Sequence, residues 1–389
     1  MLTTQLIYKI SLIKHFLKKV LPKIILKFLR IIIYKFYSFI DALSVYKNFY
    51  LKRQYIYNIK NNINIETSSI CNLNCIFCGY GKRDLDKHPK KTMSTEFFEE
   101  ILNQVEDMKY SYLGLSPTTG DIFMDKNIFE KFEILEKKNL IGYYFYTNFI
   151  IPNKIQIQKI LSLKKLKYIG ISIYGHNEDT FEKITDKKKS GFDKLIQNLT
   201  TLEKKISENH EYTSNKIISL EHRTIESFNL YKDNNQLAQI IKTLLKKKNV
   251  KYEFQKKYDN WGGLIKEEDL KDTKINLLQK STKKIGSCSL IYNRMTIGVD
   301  GTINACACRD ANFTLRIGNL QNQKLKNIVS LKNDDYKNLI FQQESNKFNP
   351  VCKSCTFYTS IYQKQNSKLA FSEKESFPIN LEEYKKIFK

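Results

Sequence analysis

Glycine, proline and acidic residues are scarce in this sequence. Its 389 residues include 14 Gly and 6 Pro, with no low-complexity tract and no internal repeat. These absences exclude a collagen-like chain, a low-complexity disordered chain and a repeat array. The hydrophobic fraction of 42% is typical of a globular protein. Because the length exceeds that of one ordinary core, it predicts two domains with extensions.

Long apolar runs are also missing near the start of the chain. A spanning helix needs about 18 consecutive apolar residues, whereas a charge follows after at most eight residues in this segment. A cleavable secretion signal needs an apolar core of about 7–15 residues followed by small residues, and neither is present. The sequence therefore predicts no transmembrane helix and no signal peptide, and it indicates a cytoplasmic protein.

Acidic residues are nearly absent from the first 58 positions. The chain has 65 Lys+Arg against 40 Asp+Glu, and residues 1–58 contain eleven basic residues but a single acid, Asp41. The excess spread over the rest of the chain is interpreted as a compositional bias toward Lys, Asn and Ile. An RNA-modifying enzyme would need its cations around the active-site opening, so this distribution does not indicate a nucleic-acid partner.

The same segment has the pattern of a basic amphipathic helix. Apolar residues recur at intervals of three, four and seven at Leu6, Ile10, Ile13, Leu17, Ile24 and Phe28. The pattern predicts one helix, or two helices that meet near Pro22, because proline breaks a helix interior. Such a helix either lies on the anionic inner face of a membrane or packs on the rest of the chain. The sequence leaves both arrangements open.

The eight cysteines form two groups, and residues 79–287 contain none of them. The groups are Cys71, Cys75 and Cys78, then Cys288, Cys306, Cys308, Cys352 and Cys355. A long chain without a secretion signal is not expected to carry a disulfide framework. In a reducing cytosol, cysteines grouped in this way predict metal binding.

Six short β-rich runs follow one another with helical patterns between them. The runs are 62–70, 111–119, 141–148, 167–174, 216–225 and 250–258, and the helical patterns cover 94–108, 126–138, 153–163 and 234–248. This alternation predicts parallel strands joined by right-handed crossovers. Six units suit a partial (β/α)6 barrel of the TIM type, whose chemistry lies at the C-terminal ends of the strands. The first cysteine group follows the first strand directly.

Cys71, Cys75 and Cys78 have the spacing C-x3-C-x2-C. Three thiolates can hold three irons of a four-iron, four-sulfur cluster and leave the fourth iron open to a cofactor. A structural zinc site would need four closed ligands. No other Cys or His lies within nine residues, and the nearest His is His88. The spacing therefore favours a cluster over zinc.

With this motif, residues 60 to about 362 resemble the radical SAM superfamily. The resemblance implies that the three cysteines bind a 4Fe-4S cluster whose open iron takes the amino and carboxylate groups of S-adenosylmethionine (SAM). Reductive cleavage of SAM then yields a 5′-deoxyadenosyl radical that abstracts hydrogen from a substrate. It also implies a low-potential electron donor of the flavodoxin or ferredoxin type. Phe77 matches the aromatic position that usually lies near the adenine.

A second matching position follows the second strand, where the family has a Gly-Gly-Glu-Pro motif that receives the SAM amino group. Here the stretch is TTGDIF, which places Gly120 and Asp121 at the site and Ile122 where the family has Pro. Aspartate keeps the carboxylate but shortens its reach. The alternative interpretation is that Gly120 and Asp121 belong to an ordinary turn and do not bind SAM.

Residues at the ends of three further strands also match positions of the family. YTNF resembles the Thr-Asn turn after the third strand and places Thr147 and Asn148 beside the site. On the fourth strand Ser172 is retained, whereas Tyr174 replaces the family's Asp. On the fifth strand, Arg223 is in a position to bind the SAM carboxylate through its forked guanidinium. The alternative interpretation is that each is an ordinary residue at the end of a strand or in a turn.

The second cysteine group resembles the auxiliary-cluster extension called SPASM. Asp300 and Gly301 predict a hairpin turn that brings Cys288 and Cys306 together, and the knuckle C-x2-C adds two more thiols. The predicted ligands are Cys288, Cys306, Cys352 and Cys355. Because no cysteine follows the knuckle, the region resembles the shortened, twitch-like form with one auxiliary cluster. A four-cysteine zinc ribbon is the alternative, and Cys308 is left as a substitute ligand, a catalytic thiol or a buried residue.

The sequence thus predicts a radical SAM enzyme with two 4Fe-4S clusters. Its predicted divisions are a helical extension (1–58), a radical SAM core (59–265), a small cysteine-rich β domain (266–365) and a C-terminal tail (366–389). Members of the family act on peptides, sugars and alcohols. The basic first segment favours a sugar or lipid-linked surface-glycan precursor. The alternatives are a peptide-maturing enzyme, followed by an RNA-modifying enzyme and a zinc-bound scaffold that docks on membranes.

Overall fold

The computed structural model describes residues 23–115, 118–278, 284–307, 309–364 and 377–388. Cys308 and the part of the predicted amphipathic helix before residue 23 lie outside these ranges.

A parallel sheet of six strands forms the centre of the molecule. The strands are β1 (Asn62–Ile65), β2 (Tyr112–Leu115), β3 (Gly142–Thr147), β4 (Leu166–Tyr174), β5 (Ile217–Arg223) and β6 (Val250–Phe254). Each pairs in parallel with the next along the chain. Five lie within the predicted runs and β4 begins one residue before its run. Aromatic and β-branched residues in these runs favour a buried, pleated surface. The sheet is open, which confirms the predicted partial barrel.

Helices connect these strands and cover the outer face of the sheet. They are α2 (Thr95–Asp107), α3 (Ile128–Lys137), α4 (Lys154–Ser162), α5 (Glu178–Thr185), α6 (Ser190–Glu208) and α7 (Gln236–Leu244). Helix α2 shows how the sequence forms them: the Ser94 side chain caps its first turn, and Phe98, Ile101, Leu102 and Val105 bury one face. Helices α5 and α6 were not among the predicted helical patterns.

The cysteine-rich C-terminal region extends the same sheet. Strands β9 (Thr296–Ile297) and β10 (Thr302–Asn304) form the predicted antiparallel hairpin. Strand β11 (Arg316–Asn319) pairs antiparallel with β10. Strand β9 also pairs in parallel with β1, so the nine strands make one sheet in the order β11-β10-β9-β1-β2-β3-β4-β5-β6. The small β domain predicted from the sequence therefore shares a sheet with the barrel.

The remaining elements are short or lie at the two ends of the described chain. They are α1 (Lys23–Tyr50), β7 (Lys257–Tyr258), β8 (Asn276–Leu277), α8 (Leu290–Asn293), α9 (Leu325–Ile328), α10 (Asp334–Glu344), α11 (Pro350–Ser354) and α12 (Leu381–Ile387). Helix α1 is described from Lys23 onward. Its last turns are anchored on the body of the protein: Asn48 donates to the Tyr362 carbonyl at 2.9 Å, and the Phe49 and Tyr362 rings lie 5.0 Å apart.

No helix in the described part of the chain is long and apolar enough to cross a membrane.

A buried polar contact joins the barrel to the C-terminal region. Glu66 follows β1, and one of its carboxylate oxygens lies 2.6 Å from His88 Nε2. The other ring nitrogen of His88 lies 2.9 Å from the Ala311 carbonyl, and the ring stacks on Phe313 at 4.2 Å. His88, the histidine nearest to the first cysteine group, thus connects three segments of the fold.

Candidate functional site

The three cysteines of the first group line one cavity at the C-terminal ends of the parallel strands. Cys71, Cys75 and Cys78 lie in the loop after β1, and the cavity has a volume of about 900 Å³. Backbone N–H groups approach two of the sulfurs: Leu73 donates to Cys71 Sγ at 3.5 Å and Tyr80 donates to Cys78 Sγ at 3.4 Å. The position agrees with the active end of a parallel barrel.

Burial raises the pKa of all three thiols. For Cys71, the nearby Asp121 carboxylate raises the pKa further. A positive metal at this position would stabilise the thiolate form of each. Buried, closely spaced sulfur donors beside a large cavity fit an iron–sulfur cluster. Among the described residues there is no group of three or more His, Cys, Asp or Glu placed to hold a single metal ion.

Phe77 is fully buried and packs between two tyrosines that line the cavity. Its ring centroid lies 5.4 Å from that of Tyr174 and 5.1 Å from that of Tyr258. Phe77 therefore supports aromatic rings that reach the cavity. Its predicted contact with adenine stays a prediction.

Gly120 and Asp121 hold the loop after β2 against the cysteine loop. Gly120 has φ +93°, and a Cβ atom there would meet the Ser68 carbonyl oxygen at 2.5 Å. The Asp121 N–H donates to the Ile70 carbonyl at 2.8 Å. A glycine is needed here because the two backbones approach closely in a conformation that other residues rarely adopt.

The Asp121 carboxylate is buried and accepts hydrogen bonds from three residues. The donors are the Asn148 N–H at 2.7 Å, the Thr147 hydroxyl at 2.9 Å and the Phe123 N–H at 3.0 Å. Burial raises the pKa of Asp121, and these hydrogen bonds partly offset that effect. Asn148 in turn donates to the Asn72 side chain at 2.7 Å, so the carboxylate connects the end of β3 to the cysteine loop. The predicted residues Asp121, Thr147 and Asn148 thus form one network.

The ends of β4 and β5 bring Ser172 and Arg223 to the same cavity. Arg223 is buried, its guanidinium lies 5.0 Å from the Tyr258 ring centre, and it pairs with Glu221 at 3.2 Å. Glu221 also accepts a hydrogen bond from the Tyr168 hydroxyl at 2.9 Å. Glu221 was not predicted from the sequence. It lies two residues before Arg223, and side chains at that spacing share one face of a strand.

A second, smaller cavity is lined by the other four predicted ligands. They are Cys288, Cys306, Cys352 and Cys355. Burial, together with the nearby Cys288 and Cys355, raises the pKa of Cys352 to about 12. Two sulfurs accept hydrogen bonds: Gln343 Nε2 donates to Cys352 Sγ at 3.4 Å, and the Phe357 N–H donates to Cys355 Sγ at 3.2 Å. Four thiols around a small cavity fit an auxiliary cluster.

Arg309 lines both cavities. It pairs with the buried Asp259 at 2.5 Å, and its guanidinium lies between the rings of Trp261 and Phe357 at 5.1 and 4.7 Å. This group was not predicted from the sequence. Its signals in the sequence were the single Trp of the chain and an arginine next to the cysteine-rich run.

Two family models match the chain. The Radical SAM superfamily model matches residues 65–230, and the model of the iron–sulfur cluster-binding domain SPASM matches residues 288–356. None of the curated proteins compared with the chain matches it.

The solved structures that are similar to the chain share little sequence with it. SuiB of Streptococcus suis bound to the precursor peptide SuiA is 15% identical with a TM-score of 0.50, covering 80% of this chain and 72% of that one. BtrN in complex with AdoMet and 2-DOIA is 14% identical with a TM-score of 0.47, covering 76% and 92%. The enzyme anSMEcpe with bound AdoMet is 16% identical with a TM-score of 0.45, covering 84% and 95%. At these identities the likeness to SuiB shows the fold.

Proposed function

Because this chain contains a radical SAM domain followed by a SPASM domain, we propose that it cleaves SAM reductively and uses the resulting 5′-deoxyadenosyl radical to abstract hydrogen from a substrate. The two domains imply a 4Fe-4S cluster, SAM and auxiliary iron–sulfur chemistry, which supply the electron for cleavage and an electron acceptor or substrate anchor. The observation that carries the proposal is the convergence of Cys71, Cys75 and Cys78 on a large cavity at the active end of the barrel.

In this proposal, the first three cysteines hold the cluster that binds SAM. The Arg223 guanidinium reaches the same cavity and suits the SAM carboxylate, while Glu221 keeps the guanidinium in place. Asp121 orients Asn148 and the cysteine loop through its hydrogen bonds. Cys288, Cys306, Cys352 and Cys355 hold one auxiliary cluster, which corresponds to the shortened, twitch-like form.

The polar wall of the main cavity supports a sugar-like substrate. Asn64, Tyr144, Tyr146 and Glu221 line it with amide, hydroxyl and carboxylate groups. The Tyr144 hydroxyl is itself held by hydrogen bonds of 3.0 and 2.8 Å to Asn64 and Asn62. Such groups suit a ligand with many hydroxyls, because amide, hydroxyl and carboxylate groups can form further hydrogen bonds with hydroxyls.

Lysines in the same cavity support an anionic carrier on that sugar. Lys256 and Lys257 line the cavity at the end of β6 and are exposed. Their positive charges suit the diphosphate of a lipid-linked glycan precursor. The alternative is a peptide, as the SuiB structure contains one.

Iron content and SAM cleavage together test the proposed function. Anaerobically reconstituted protein is expected to carry about eight irons per chain, from two four-iron clusters, and to release 5′-deoxyadenosine on reduction. Changing Cys288, Cys306, Cys352 and Cys355 to alanine is expected to leave about four irons and to preserve SAM cleavage. Colourless, zinc-loaded protein would contradict the proposal.

The same assay tests the substrate class. A polyprenyl-diphosphate-linked sugar is expected to accelerate 5′-deoxyadenosine release more than a peptide at the same concentration does. A larger acceleration by the peptide would favour the alternative and leave the radical SAM assignment intact.

Changing Asp121 to asparagine is expected to weaken SAM binding about 10- to 100-fold. The change removes a buried charge-assisted acceptor, which typically contributes about 1.5–3 kcal/mol, and it loosens the connection of Asn148 to the cysteine loop. Equilibrium binding of SAM to the reconstituted protein measures the effect. Asp300→Asn is the matched control, because Asp300 also accepts a bond from the N–H two residues on, at Thr302, but does not line the cavity. Equal affinity in both variants would make Asp121 an ordinary turn residue.

A further inference from the structure

Helix α1 exposes large apolar side chains along much of its length. The exposed residues, with the exposed fraction of each, are Ile25 45%, Ile32 52%, Phe36 60%, Phe39 60%, Ile40 45% and Leu43 52%. Single exposed apolar residues are ordinary on a protein surface, whereas a contiguous set marks an interaction site.

These six residues, here called the apolar stripe, lie on one side of the helix. At about 100° per residue, their positions fall within an arc of about 100°. Val45, Asn48 and Phe49, which contact the body of the protein, lie on the opposite side. The final turns thus anchor the helix, and its anchoring side faces away from the stripe.

The charge of the helix identifies what the stripe contacts. Lys23, Lys27, Arg30 and Lys35 are spread along the same stretch, and the first acid is Asp41. At about 100° per residue these four positions fall on the side of the helix away from the stripe, so a second copy of the chain placed on the stripe would leave their charges unmatched. An anionic lipid surface would instead neutralise these charges while it buries the apolar side chains.

We propose that the apolar stripe inserts into the headgroup region of an anionic bilayer, with α1 lying along the surface and its last turns holding the enzyme against it. The structure thereby combines the two arrangements that the sequence left open, because the end of the helix packs on the protein and the earlier turns face outward. The proposal does not depend on the proposed radical chemistry.

Vesicle binding by the full-length protein tests the proposal. The protein is expected to bind vesicles of phosphatidylcholine mixed with phosphatidylglycerol at least tenfold more tightly than vesicles of phosphatidylcholine alone. The preference for anionic vesicles is expected to fall as salt rises above physiological ionic strength. The screening length is about 8 Å at physiological ionic strength and becomes shorter as salt is added. Equal binding to both vesicles, or binding to neither, would overturn the proposal.

Substitutions in the stripe identify the contacting side. Changing Phe36, Phe39 and Leu43 together to glutamine is expected to weaken vesicle binding at least tenfold and to leave the circular dichroism spectrum unchanged. The matched control changes Ile155, Tyr231 and Phe341, whose exposed fractions are 70%, 81% and 68%, to glutamine elsewhere on the surface. Binding lost equally in both variants would overturn the proposal.

Two other occupants of the stripe give distinct results. A wild-type dimer that the stripe variant converts to monomer, without vesicle binding by either, would assign the surface to a second copy of the chain. Vesicle binding that occurs only after removal of residues 1–22 would assign it to that segment. Each result would overturn the lipid proposal.

Discussion

Protein in which Cys71, Cys75 and Cys78 are all changed to alanine is expected to release no 5′-deoxyadenosine from SAM under reducing conditions. These thiols are the sulfur donors in the main cavity, and three ligands leave one iron for SAM. Iron analysis of the anaerobically reconstituted variant is expected to show about four irons, held by the second cysteine group.

The matched control is the variant that lacks the four cysteines of the second group. Each variant is expected to lose one cluster, but only the variant of Cys71, Cys75 and Cys78 is expected to lose SAM cleavage. If the triple variant still cleaves SAM, the main cavity is not the site of the radical chemistry. If it loses all eight irons, the two sites do not assemble independently.

Changing Gly120 to alanine is expected to lower the free energy of unfolding by about 2–5 kcal/mol. The positive φ costs an L-residue about 1–2 kcal/mol, and the new Cβ would lie 2.5 Å from the Ser68 oxygen and 2.9 Å from the Ile70 oxygen. These contacts involve backbone, so relief requires moving the cysteine loop, at a typical cost of about 1–3 kcal/mol. SAM binding is expected to weaken in parallel.

Gly81→Ala is the control for this prediction. Gly81 lies in the cysteine loop, but the atoms nearest to its added Cβ belong to the side chain of Asn74, which can move aside. Thermal and denaturant unfolding of the two reconstituted variants measures the difference. Equal stability of both would show that the approach of the two loops tolerates a side chain at Gly120.

Local patterns were sufficient to predict the six parallel strands and the Asp300–Gly301 hairpin. Aromatic and β-branched runs mark strands, and an Asp-Gly pair marks a tight turn. Helices α5 and α6 were missed although buried residues in α6, such as Phe192, Leu195 and Leu199, recur at helical spacing. Lysines and glutamates are frequent in residues 178–208, and they weaken the apolar pattern that predicts a helix.

Contacts between distant segments could not be predicted in this way. The Glu66–His88 contact and the Arg309–Asp259 pair depend on which loops meet, and local spacing does not encode that. Cys71 was predicted from the spacing of its motif, and Asp121, Asn148 and Arg223 were predicted one by one by resemblance to a family. Their shared cavity follows from the parallel sheet, because each lies after the C-terminal end of a strand or at that end.

The pairing of β1 with β9 has a consequence for how the chain folds during synthesis. The bond from the Asn64 side chain to the Met295 carbonyl joins positions 231 residues apart. Until the ribosome has made the second segment, β1 has an unpaired edge, and exposed edges invite pairing with other chains. Contacts of such long range also slow folding. A chain cut between the two domains is therefore expected to aggregate, and the iron sites are expected to become stable only after the last quarter of the protein has been synthesised.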